Sequence, residues 1–336
     1  MIRKTVASIV VVAFLSLAGL FAAGDYVYRT GTAVRCGHHP YHDQNTPARF
    51  FVPGVGQGPF RGTGWDRWVG HDLSAWWLTD RPYQVVRFLS LDSTIDLEAW
   101  WIPARDAKET AAVIVAHGIN TSRKDFNTLL PAVMLVRHGF NVLLMDLRDA
   151  GGSRCEDGRH SAGQQESDDL IAAAHWLERE HAIPLSRVGI HGVSGGAIAA
   201  LIVAAKNDGV AAFSLEAPIF DFNAAAEQEV KYQGFPGLLW RLAYWAAGLR
   251  GVDLNAIEPR EGIANLNGRP IQVFHGTVDS RVDYENSLAL VDYAKEVGAD
   301  VALYTIDGAD HTEGILLNPE LYDRALGSFF QAALFP

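Results

Sequence analysis

Ser194 lies between two glycines in the run His191-Gly-Val-Ser-Gly-Gly196, Asp279 follows His275-Gly-Thr-Val, and His311 follows Gly308-Ala-Asp310. Serine, carboxylate and histidine are the side chains from which an activated hydroxyl nucleophile is built. A serine hydroxyl attacks poorly until a base takes its proton. His311 is the candidate base, and Asp279 is the candidate for holding the imidazole in the right tautomer and stabilising its charged form. The glycines have a mechanical reason. A nucleophile on a sharp turn needs neighbours without side chains, so that the preceding strand and the following helix can approach closely.

The elements that must position these groups are legible as alternating runs. Arg187-Val-Gly-Ile reads as a short strand running into the serine turn, and Ala197–Ala205 reads as the helix after it. Its N-terminus points at any anion formed beside Ser194. Gln84–Leu91 and Ile95–Ile102 alternate like two antiparallel strands around Asp92-Ser93-Thr94. Ala111–Ala116, Asn141–Asp146, Ala211–Glu216, Gly268–Phe274 and Val301–Ile306 are apolar runs of the kind buried on both faces of a parallel sheet. Helical spacing covers Phe126–His138, Ser167–Glu180, Tyr284–Val297 and Leu321–Leu334. Strands alternating with helices predict an α/β fold with a mostly parallel sheet covered on both faces. In such sheets the reacting groups collect beyond the carboxyl ends of the strands, which is where Ser194, Asp279 and His311 each fall.

The formal net charge of −11 over 336 residues, with no basic cluster, excludes nucleic acid as the expected partner. Residues 1–24 stand apart: Arg3 and Lys4 precede a long uncharged stretch ending in Ala22-Ala23-Gly24. This reads either as a transmembrane anchor or as a signal peptide cut near the small residues. In both cases the remainder is expected outside the cytosol, membrane-anchored through residues 1–24 or secreted. Cys36 and Cys155 fit an exported chain, as one disulfide or as two thiols. Residues 25–82 read as an approach segment. Glycines and prolines break any period there, and Trp65, Trp68, Trp76 and Trp77 are expected to pack on the main domain or on a membrane surface. The tract Cys36-Gly-His-His-Pro-Tyr-His42 lacks the paired spacing of a metal site and reads as a solvated turn.

On these residues the chain resembles an α/β-hydrolase over roughly residues 83–336. The resemblance is carried by Asp92–Pro103, His117-Gly118, Asp146-x-Arg148, Gly192–Gly196, His275–Val282 and Gly308–His311, and by the order serine, acid, histidine. Within that superfamily it is similar to N-terminally anchored bacterial hydrolases of the serine aminopeptidase and dienelactone-hydrolase-like group. Ser93 departs from the pattern, standing where glycine is usual. The resemblance implies an oxyanion hole made by the backbone N–H groups of Ile119 and Gly195. It implies a helical cap-like insertion at 219–268, no metal or organic cofactor, and a serine hydrolase acting on an ester or thioester of a small or lipid-like acyl group. A peptidase or amidase of the same fold, and a catalytically silent binding protein, are the alternatives.

Two rival readings concern single residues. Asp221, beyond the Ala211–Glu216 strand, is a second acid that could serve the same histidine. His117, His191 and His275 each end a strand before a glycine and could together ligate zinc; the plainer expectation is that each bonds loop backbone.

Overall fold

The computed structural model describes residues 2–58, 64–105, 111–206 and 209–335, with side chains from residue 12 onward; Met1 and the side chains of Arg3 and Lys4, which the N-terminal reading uses, lie outside these. The apolar runs form strands β1 (Gln84–Leu89), β2 (Asp96–Ile102), β3 (Ala112–Ala116), β4 (Asn141–Met145), β5 (Val188–Val193), β6 (Ala212–Glu216), β7 (Ile271–Gly276) and β8 (Val301–Ile306). They make one sheet in the order β1-β2-β4-β3-β5-β6-β7-β8. The β1–β2 and β2–β4 pairs are antiparallel and the remaining pairs parallel. Every residue of β3 to β7 is buried, whereas β8, at the edge, is half-exposed. The mostly parallel sheet with helices on both faces is the α/β-hydrolase fold.

The helices are α1 (Ile2–Gly31), α2 (Phe126–Arg137), α3 (Glu166–His181), α4 (Gly195–Lys206), α5 (Phe222–Tyr232), α6 (Trp240–Leu249), α7 (Pro259–Ala264), α8 (Glu285–Val297), α9 (Gly314–Leu317) and α10 (Pro319–Leu334). Residues from α3, α4, α7 and α8 fill the core on one face of the sheet. On the other, α2, α9 and α10 pack together with Phe50, Val52, Trp65, Leu73 and Leu78. Burial of these large apolar side chains, each contributing about 1.5–3 kcal/mol, ties residues 50–52 and 65–78 to the sheet. The β1–β2 turn works without the usual glycine. Ser93 takes φ +60°, a conformation costing a non-glycine residue about 1–2 kcal/mol. Asp92 Oδ1 offsets part of this by accepting from the Thr94 N–H at 3.1 Å and from the Ser90 hydroxyl.

The transmembrane reading of residues 1–24 is corrected. Among the described residues no helix is long and apolar enough to cross a membrane. The helix does not stop at Gly24 but runs to Gly31, through Asp25 and Arg29. Its last turns are covered by protein: Gly24, Val27 and Tyr28 are buried, and Phe21 meets Trp245 of α6 edge-to-face with ring centroids 5.8 Å apart. A hydropathy pattern records that such residues avoid water, and does not say what shields them. The tract ending at His42 is likewise no solvated turn throughout. His42 is 1 % exposed and lies against the Tyr41 ring at 4.5 Å, and burial pushes its pKa down to about 3. Cys36 and Cys155 form a disulfide, Cα atoms 5.5 Å apart, that ties the segment after α1 to the loop after β4.

Candidate active site

The sequence reading places Ser194 on a turn between β5 and α4, and the backbone shows why glycines flank it. Ser194 has φ +52°, a strained value for a residue with a side chain. Its N–H donates to the Glu216 carbonyl at 2.8 Å, and its own carbonyl accepts from the Ala197 N–H at 2.9 Å, starting α4. A Cβ on Gly192 would lie 2.4 Å from the Gly196 oxygen, and one on Gly196 would lie 2.6 Å from the Ala116 oxygen. The strand, the turn and β3 are therefore in backbone contact, which side chains at these two positions would forbid.

Three strand-end loops meet at the serine hydroxyl. His311 Nε2 is 3.0 Å from Ser194 Oγ, and His311 Nδ1 is 2.8 Å from Asp279 Oδ2 and 3.0 Å from Oδ1. The carboxylate accepts only, so Nδ1–H donates to it and Nε2 is left to accept from the serine hydroxyl. Asp279 also accepts from the N–H groups of Arg281 and Val282, both at 2.8 Å. Burial pushes its pKa up, but His311 and His275 outweigh burial and hold the carboxyl well below the usual range. The acid is ionised throughout the physiological range. Asp221 does not take this position. It caps α5, its Oδ1 accepting from the N–H groups of Asn223 at 2.9 Å and Ala224 at 3.1 Å.

Ile119 and Gly195 lie side by side, as a Cβ on Gly195 would come within 2.9 Å of the Ile119 nitrogen. The serine Cβ is similarly close to Gly118, where an added Cβ would meet it at 3.2 Å. The two backbone segments expected to supply oxyanion donors thus flank the nucleophile.

The three strand-end histidines do not converge. His117 Nδ1 pairs with the Gly118 carbonyl at 2.7 Å, and its Nε2 accepts from the Leu147 N–H at 3.0 Å. His275 Nε2 donates to the Val282 carbonyl at 2.9 Å and also stands 3.3 Å from Asp279 Oδ2, a contact with the acid that the sequence reading does not give it. The spacing of four residues between them is the signal that could have found it. His191 departs from the loop-backbone expectation: Nδ1 meets Ser214 Oγ at 3.0 Å, and Nε2 meets the Tyr322 hydroxyl at 3.3 Å.

Tyr322 donates in turn to Glu216 Oε2 at 2.8 Å, beneath the turn that carries Ser194. Burial raises the Glu216 pKa from 4.5 to about 8. The folded protein therefore holds a proton at neutral pH that the unfolded chain has released, and stability falls as pH rises from about 4.5 to about 8. The slope from this one group is about 1.4 kcal/mol per pH unit at most. Urea denaturation of wild type and Glu216→Gln across this range should give the variant the flatter dependence by up to one proton. Equal slopes would show that Glu216 is ionised in the fold.

The His311 loop is braced from far away in sequence. Trp65 Nε1 donates to the His311 carbonyl at 2.9 Å. Trp68 Nε1 donates to Glu313 Oε1 at 3.0 Å, and Arg67 pairs with the same carboxylate. Ser194 and His311 open onto a cavity of about 130 Å³ whose other walls include Val27, Ile198, Ile219, Phe222 and Trp240. The lining is mostly apolar, with Tyr28, His160, Glu229 and Arg281 among its polar members. The insertion at 219–268 contributes Ile219, Phe222 and Trp240 to these walls, and α1, which the sequence reading kept apart from the site, contributes Val27 and Tyr28.

A sharp serine turn on a parallel sheet, with a histidine and an ionised acid in line behind it, defines a serine hydrolase of the α/β-hydrolase fold. The model of the prolyl oligopeptidase family, Peptidase S9, matches residues 127–333, and the chain belongs to that family. The match does not single out the serine aminopeptidase or dienelactone-hydrolase-like group. Among solved structures, an esterase of Pyrococcus furiosus is similar at 24% identity and TM-score 0.62, over 76% of this chain and 93% of its own. The α/β-hydrolase GrgF of a Penicillium species is similar at 19% identity and TM-score 0.60, over 76% of this chain and 100% of its own. The acylaminoacyl peptidase of Pyrococcus horikoshii is similar at 17% identity and TM-score 0.58, over 76% of this chain and 42% of its own. At these identities the likeness is one of fold. No curated protein matches the sequence.

Proposed function

We propose that this serine hydrolase cleaves carboxylic esters or thioesters of apolar acyl groups. The observation that carries the reading is the apolar cavity onto which Ser194 and His311 open. Ser194 Oγ attacks the acyl carbon as its proton passes to His311 Nε2. The developing oxyanion lies toward the N–H groups of Ile119 and Gly195, and Asp279 stabilises the imidazolium. His311 then protonates the departing alcohol or thiol, leaving an acyl-Ser194 ester. Water enters by the same route in reverse and frees the acid.

Peptide or amide cleavage is the second reading, carried by the family match. Glu229 on the cavity wall is the group a substrate ammonium would seek, but it is paired with Arg281 at 2.7 Å. That pairing weighs against anchoring a free amino terminus. We place the working protein outside the cytosol, because a structural disulfide such as Cys36–Cys155 persists in an oxidising compartment.

The discriminating experiment compares p-nitrophenyl esters from acetyl to dodecanoyl with aminoacyl and peptidyl p-nitroanilides. Turnover of esters with kcat/KM rising along the acyl chain is expected. Efficient anilide turnover with a flat ester series would replace the ester reading by the peptidase one.

A further inference from the structure

We propose that the last turns of α1, residues 24–31, are the acyl-selecting wall of the site, with Val27 and Tyr28 the specificity-determining side chains. The part of the substrate they read is an uncharged hydrocarbon chain. The inference builds on the reading of Ser194 as the acylated nucleophile.

The end of α1 differs from the rest of the helix. Val12, Phe14, Leu15 and Leu17 are exposed, whereas Val27 and Tyr28 are 4% and 5% exposed. Those two residues, with Gly31 and Thr32, line the same cavity as Ser194 and His311. They pack with Val230 of α5, Ala243 and Ala247 of α6, and Leu254. A chain leaving the acyl carbon at Ser194 runs into a hydrophobic compartment whose near walls belong to the sheet edge and whose far wall is partly α1. Contacts of this kind discriminate by size, because each methylene admitted or refused changes the rate by about 10- to 200-fold.

A selective wall must also be held in place, and this one is clamped along its length. Gly24 lets the α1 and α6 backbones touch, since a Cβ there would lie 2.3 Å from the Leu242 oxygen. Asp25 pairs with Arg29 at 3.0 Å and with Arg250 at the end of α6. Tyr26 meets Phe235 edge-to-face at 5.8 Å. Beyond the helix, His160 N–H donates to the Thr32 carbonyl at 2.9 Å, and Val34 N–H donates to the Gly158 carbonyl at 2.9 Å. The Cys36–Cys155 bridge follows. These ties join a segment upstream of β1 to the cap helices on one side and to the β4–α3 loop on the other.

The test uses the full chain and a series of alkyl fluorophosphonates from methyl to dodecyl, which phosphonylate Ser194 Oγ with fluoride as the leaving group throughout the series. The quantity read is the labelling rate at Ser194 for the long probe divided by that for the short one. Tyr28→Ala, which opens the wall, should raise this ratio about tenfold, and Val27→Phe, which fills the cavity, should lower it about tenfold. Leu238→Ala, on an exposed residue outside the lining, should leave it alone. If Tyr28→Ala does not fold, Val27→Phe and Val27→Ala carry the test in opposite directions. A ratio equal to wild type in folded Val27 and Tyr28 variants overturns the proposal, as does an equal shift in Leu238→Ala. A moved ratio in a protein that turns over no ester would retire the ester reading and leave the wall standing.

Discussion

Ser194→Ala should lower kcat about a million-fold, and His311→Ala by a similar factor, because nucleophile and base act as one unit. Their double variant should be no worse than either alone. The chemical reason is that without His311 Nε2 at 3.0 Å from the hydroxyl, attack must proceed from a neutral alcohol of low nucleophilicity. Asp279→Asn should cost about ten-thousand-fold, since an amide at 2.8 Å from Nδ1 presents a donor where an acceptor is needed and favours the wrong tautomer. The measurement is burst and steady-state hydrolysis of the preferred ester, with circular dichroism showing that each variant is folded. Retention of a tenth of wild-type kcat in Ser194→Ala would mean that another group carries the reaction.

The second large effect is on stability and falls on glycines. Gly192→Ala and Gly196→Ala each drive a methyl group into backbone that cannot yield, at 2.4 Å from the Gly196 oxygen and 2.6 Å from the Ala116 oxygen respectively. Each should cost about 3 kcal/mol through overpacking and displaced strands, and should abolish fluorophosphonate labelling even where the fold survives. Gly248→Ala supplies the contrast. That glycine lies inside α6 with nothing within 4 Å of the added carbon, so the change should stabilise by up to about 1 kcal/mol. Urea midpoints for the three variants test the pair of expectations. A Gly192→Ala midpoint at the wild-type value would show that β5 and α4 are less tightly joined than described.

The different fates of residues in the sequence reading follow from how local their determinants are. The turn at Ser194 was legible because its glycines, its serine and the flanking apolar runs stand within a few residues of one another, although Gly196 answers to Ala116 of β3. The meeting of Ser194, Asp279 and His311 was legible because a parallel sheet gathers strand-end loops at one edge whatever the helices do. The route taken by α1 was not. An apolar residue such as Val27 carries the same signal whether lipid, a partner or α6 covers it, and only the tertiary structure shows that Tyr28 faces the cavity of the nucleophile. Burial of His42 was hidden for the opposite reason, since a polar tract rich in histidine, proline and glycine looks solvated until the packed neighbours are known. Asp221 and Asp279 were equivalent by type and by position after a strand. What separates them is a helix start, which claims Asp221 as its cap.

The hydrogen bond from Trp65 to the carbonyl of His311 spans 246 residues of chain, which sets the order in which the protein can be finished. At ordinary rates of synthesis that stretch takes roughly 12 to 50 s to make. During that interval the sheet strands up to β8 can pair as they appear, yet Trp65 and Trp68 have no loop to grip. The nascent chain passes through a stage with its nucleophile turn assembled and its base unmade, while the indole N–H groups of Trp65 and Trp68 still lack the His311 carbonyl and the Glu313 carboxylate. The brace therefore closes late, when residues 308–313 emerge and are captured by Trp65, Arg67 and Trp68.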